Sequence, residues 1–128
     1  MGEFYLMSAM SDEFLKVATT EINDDISELE KILFSCKTDA DVISCVDKFQ
    51  KHTHKIKGLA PMMGKDDLGI LSASLDSIFK KILNGSRLEN IFGILNDSIY
   101  CMKLTMAEPD SDLTEIKNRI SQIEDILN

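Results

Sequence analysis

Apolar residues recur at spacings of three and four along almost the whole chain, which is the period of a helix with one buried face. The first stripe runs through Phe14, Val17 or Ala18, Ile22, Ile26, Leu29 and Leu33 and predicts a helix over 11–35, with Asp12 and Glu13 at its positive end. A second helix over 39–63 starts behind Thr38 as N-cap and turns Val42, Val46, Phe49, Thr53, Ile56, Ala60 and Met63 inward. A third, over 66–84, carries Leu68, Leu71, Leu75, Ile78 and Ile82 and ends at Asn84-Gly85. Ser86-Arg87-Leu88-Glu89 has the form of a capping box and predicts a fourth helix over 87–108, with Ile91 or Phe92, Leu95, Ile99 and Met102 inward and Pro109 as its stop. The fifth, over 112–127, places Leu113, Ile116, Ile120, Ile123 and Leu127 on one face. No segment alternates with the period of a strand, and no internal repeat is evident.

An all-α fold follows, in which short connections favour antiparallel neighbours: an up-down antiparallel four-helix bundle with an additional fifth C-terminal helix. At 128 residues and 44% hydrophobic content, one domain over 11–128 accounts for the chain. Residues 1–10, with Gly2-Glu3-Phe4 and a second methionine at Met7, read as an N-terminal tail or expression scar. No apolar run reaches the roughly 18 residues of a membrane span and no secretory signal is apparent, so the expected location is cytoplasmic, without membrane insertion. Cys36, Cys45 and Cys101 lack C-x-x-C spacing and read as reduced thiols.

Charge adds a local contrast. The formal net charge is −8, which argues against nucleic acid as a partner, yet residues 48–65 hold Lys48, Lys51, Lys55, Lys57 and Lys65 and no acidic residue. In the middle of that basic stretch lie His54-Lys55-Ile56-Lys57-Gly58, followed by Gly64. His54, Lys57 and Gly58 share one helical face, with Lys51 one turn before the histidine. Thr53 belongs to the buried stripe, so His54 is turned roughly 100° away, to the rim of the core. A glycine inside a helix costs about 1 kcal/mol relative to Ala, and at position 58 it clears the space one turn above the imidazole. Phosphoryl transfer to an imidazole needs an unprotonated ring nitrogen, cations for the phosphoryl oxygens and room for a donor, and this face offers all three.

The run resembles the H-x-x-K-G signature of histidine-containing phosphotransfer (HPt) domains, most closely the phospho-accepting domain of CheA-type chemotaxis histidine kinases. That resemblance spans residues 12–127 in pattern and His54 to Asp76 in motif. It implies that His54 is the phospho-acceptor, receiving a phosphoryl group from ATP held in a separate kinase domain and passing it to an aspartate of a response-regulator receiver domain. Lys57, Gly58 and Asp76 would assist, because the family places a glutamate 22 residues after the histidine and the count from His54 reaches Asp76, one methylene shorter. A carboxylate in that place fixes the ring's tautomer and raises the basicity of the attacking nitrogen. The expected partner surface comprises Lys51, Lys55, Lys57, Gly58, Gly64 and Ser72. The chain departs from the family at Ala73, where a second histidine is common, at Pro61, where a small residue is usual, and at Lys65, which replaces an aromatic. Pro61 is expected to bend or end the helix above the histidine.

On this reading the chain is a substrate rather than an enzyme, and a monomer. It binds no cofactor, with ATP and magnesium belonging to the partner kinase. His52, placed with Lys48 and Lys55 on the solvent side, is not expected to react. His52 and His54 diverge on a helix and no E-x-x-H occurs, so no metal site is expected. Two alternatives remain: a free-standing HPt relay protein, and a non-catalytic helical scaffold or dimerisation module.

Overall fold

A computed structural model describes residues 2–127, with side chains from Asp12 to Leu127. It is all-helical among those residues and contains six α-helices: α1 (Gly2–Phe34), α2 (Asp39–Ser44), α3 (Val46–Leu59), α4 (Asp66–Leu83), α5 (Ile91–Ala107) and α6 (Thr114–Ile126), with a single 3-10 turn at Pro61–Met63. The stripes read from spacing form the core. Ala18 rather than Val17 faces inward, and Ile91 is fully buried while Phe92 is half-buried. Phe49 of α3 stacks on Phe79 of α4 with ring centroids 6.0 Å apart.

Helix α3 lies between α1 and α4, and its register with α4 runs in opposite senses: Phe49 meets Phe79, His54 meets Asp76, and Pro61 meets Gly69. Helix α6 packs on α4, where Lys117 reaches Asp67 and the Lys81 ammonium donates to the Glu124 carbonyl.

Three boundaries differ from the sequence reading. Helix α1 extends back to Gly2, through the stretch set aside as a tail. The predicted helix over 39–63 is three pieces. Thr38 caps α2 through a capping box with Asp41, but the helix breaks at Cys45 (φ −112°, ψ 10°), and α3 ends at Leu59 because Pro61 has no N–H for the next turn. The chain then closes through Gly64, whose left-handed φ of 77° is cheap only for glycine and which lets the Lys65 N–H reach the Ala60 carbonyl at 2.9 Å.

The third difference is the start of the predicted fourth helix. Ser86 does not cap it, because the Ser86 N–H is bound to the Lys81 carbonyl in the turn that ends α4. Helix α5 begins five residues later, behind a left-handed Asn90, and its cap comes from elsewhere in the chain. The Asp39 carboxylate accepts from the Asn90 N–H at 3.0 Å and the Phe92 N–H at 2.9 Å.

Candidate functional site

The packing of α3 on α4 places a histidine at the rim of the core and a carboxylate just beneath it. Thr53 is buried, its hydroxyl bonded back to the α3 carbonyls of Phe49 and Gln50, so the next side chain emerges at the edge. The His54 side chain is 62% exposed. Asp76 follows the buried Leu75 on α4 and is itself 1% exposed. The imidazole Nδ1 lies 3.5 Å from Asp76 Oδ2, a long contact rather than a formed hydrogen bond.

The carboxylate has three further partners. Gln50, one turn before His54, donates from Nε2 to Oδ1 at 3.2 Å. Lys57 and Lys80 place their ammonium groups 3.3 Å from Oδ2, the oxygen that also faces the imidazole. Burial is the largest single influence on this carboxyl and pushes its pKa up. Donation from Gln50, Lys80 and Lys57, with the His54 ring close by, outweighs burial and holds it below the ordinary carboxylate range. Asp76 is therefore an anion at neutral pH, held in place from both helices. With Nδ1 turned to that anion, Nε2 is the ring nitrogen that Asp76 does not engage.

Lys57 and Gly58 stand where the spacing put them. A Cβ built at Gly58 meets nothing within 4 Å, so no internal contact demands a glycine. Its missing side chain is felt only from outside. Gly64 is explained by the turn it closes. Gly69, which the sequence reading passed over, is required by close approach, since a Cβ there would lie 2.7 Å from Pro61 Cγ.

Three residues depart from their expected places. Ser72 is fully buried, its hydroxyl without a hydrogen-bond partner among the described residues, so it cannot belong to a docking surface. His52 does not face solvent: the direction away from His54 is occupied by α1, and Nδ1 of His52 lies 2.8 Å from Oδ1 of the buried Asp25. Lys55 joins that pair on the α1 side, 3.2 Å from the same oxygen, rather than flanking His54. The basic stretch is thus divided. Lys55 turns to Asp25, Lys57 to Asp76, and Lys65 donates to the Thr105 carbonyl at 3.2 Å, while Lys48 and Lys51 are exposed.

Gln50 and Lys80 were missed, although each carries a signal: Gln50 is four residues before His54 and Lys80 four after Asp76, the positions that share a helical face. A broad groove between α1 and α5, lined by Leu33, Phe34, Phe92 and Tyr100, includes neither His54 nor Asp76. No helix of the described residues is long and apolar enough to cross a membrane. Compared with family models, curated proteins and solved structures, the chain gives no match.

Proposed function

We propose that this chain is a phosphotransfer domain of a two-component or chemotaxis signalling kinase, with His54 as phospho-acceptor. The observation that carries the reading is an exposed imidazole whose Nδ1 faces a buried carboxylate anion while a glycine one turn above leaves open space. The Nε2 lone pair attacks the γ-phosphorus of ATP bound in a separate kinase domain; the N–P bond forms as the bond to the β-phosphate oxygen breaks, and ADP leaves. In the second step an aspartate oxygen of a receiver domain attacks the same phosphorus and the N–P bond breaks, restoring the imidazole. Lys57 neutralises phosphoryl oxygens in both steps, and Asp76 stabilises the positive charge the ring acquires. Magnesium and ATP belong to the partners. The domain is a cytoplasmic monomer and no enzyme by itself.

In this reading α1, α3, α4 and α5 form the up-down antiparallel bundle of an HPt domain, with α6 alongside. The partner face is formed by Lys51, Lys57 and Gly58 around His54, and the exposed lysines speed association with the acidic receiver site more than they tighten the complex. The test is incubation with ATP, magnesium and a histidine-kinase catalytic domain, followed by addition of a receiver domain. Label on His54 that is discharged by the receiver supports the reading, and absence of histidine label contradicts it. A second reading, a helical interaction module without phosphoryl chemistry, draws on one observation: Phe34 and Tyr100 are 93% and 66% exposed beside the α1–α5 groove.

A further inference from the structure

The two oxygens of Asp76 are used very unequally. Oδ1 has Gln50, whose amide comes from the turn of α3 preceding His54. Oδ2 is approached by two ammonium groups at 3.3 Å and by the imidazole at 3.5 Å. A carboxylate oxygen presents about two lone-pair directions, so three donors converging on one oxygen cannot all be well aligned. The ring is the one left at the longest distance. Of the two lysines, Lys57 belongs to the signature around His54. Lys80 does not: it comes from α4, four residues beyond Asp76, and its side chain is half exposed.

We propose that Lys80 is a positioning residue that sets how firmly Asp76 holds the His54 imidazole, by competing with the ring N–H for Oδ2 while Gln50 pins the carboxylate through Oδ1. The neutral imidazole exchanges between two tautomers, and only the form with hydrogen on Nδ1 donates to Asp76 and presents a bare Nε2. Lys80 weakens that preference by occupying the acceptor. Gln50 strengthens it by fixing the carboxylate plane. The two residues therefore act in opposite directions on one equilibrium, although each makes a favourable contact with Asp76. The significance of this equilibrium for phosphorylation rests on the phosphotransfer reading, but the equilibrium itself does not.

The experiment measures the tautomer ratio of the His54 ring in protein labelled with ¹⁵N-histidine, with the imidazole neutral and no phosphoryl donor present. Lys80→Met keeps the aliphatic stem and removes the cation; the population carrying hydrogen on Nδ1 should rise relative to the other by roughly two- to fivefold, the scale of one modest hydrogen bond. Lys80→Arg should stay near wild type. Gln50→Leu should shift the ratio the opposite way. In an Asp76→Ala background, checked as folded by circular dichroism, Lys80→Met should have no effect, because the shared acceptor oxygen is gone. A merely structural role would move both variants in the same direction. An unchanged ratio in Lys80→Met, confirmed in Lys80→Gln, overturns the proposal, as does a shift that persists in the Asp76→Ala background. Failure of His54 to accept phosphate would sink the functional reading and leave this result standing.

Discussion

His52 Nδ1 sits 2.8 Å from Asp25 Oδ1, a shorter contact than the 3.5 Å between His54 Nδ1 and Asp76 Oδ2. The tighter pair joins α1 to α3 inside the fold, with Lys55 on the same oxygen. The looser pair lies at the rim. Contact length alone singles out His52; exposure and the clearance at Gly58 single out His54, on which the proposed function rests. The Asp25–His52 pair accordingly has a structural role. His52→Ala leaves the buried Asp25 paired, among the described residues, with the half-exposed Lys55 alone and should lower unfolding free energy by about 1–3 kcal/mol in urea titration, with the His54 environment unchanged. An equally stable variant would show that the pair is incidental.

The distant cap on α5 gives a second test. Asp39→Ala removes both acceptors at the start of that helix and should cost about 1–2 kcal/mol, whereas Ser86→Ala, at the residue that resembles a cap in sequence, should stay within about 0.5 kcal/mol of wild type. Denaturant midpoints that rank the two variants in the reverse order would contradict the assignment.

The two α3–α4 glycines should respond oppositely to the same substitution. Gly58→Ala meets open space in a helix and should stabilise the fold by about 0.5–1 kcal/mol while slowing phosphorylation, since the added methyl stands where a donor must approach. Gly69→Ala forces a methyl against the Pro61 ring and should destabilise by about 1–3 kcal/mol. Thermal unfolding and initial labelling rates separate these cases. A Gly58→Ala variant that gains stability and keeps its labelling rate would remove the role given to the clearance.

Acid should loosen the site through Asp76. Its carboxyl is held below the ordinary range in the folded chain, so its stabilising contribution is fully present above the unfolded value of about 3.9 and is lost as pH falls through the lower, folded value. The stability difference between wild type and Asp76→Asn should shrink as pH falls below about 4. Urea titrations across that range check it; a difference that persists unchanged at pH 3 would show that the carboxylate's charge is not what stabilises the site.

Much of this arrangement is legible in the sequence because it follows from periodicity. The stripes through Ile22, Phe49, Leu75, Leu95 and Ile120 are buried as spacing requires, Thr38 caps its helix, and the 22-residue interval brings Asp76 under His54. The departures are tertiary. Whether His52 meets solvent depends on where α1 lies, and Asp39 caps a helix 51 residues later only because the fold brings them together. Ser72 looks like a surface serine by chemistry but is fully buried on α4. Gln50 and Lys80 share helical faces with His54 and Asp76, yet their convergence on one carboxylate depends on the register between α3 and α4.

If His54 accepts a phosphoryl group and His52 does not, as proposed, the two histidines separate in phosphate labelling of His54→Gln and His52→Gln by ATP, magnesium and a histidine-kinase catalytic domain. His54→Gln should retain no acid-labile phosphate, and His52→Gln, if folded by circular dichroism, should label nearly as well as wild type. Label that survives His54→Gln would rule out His54 as the acceptor.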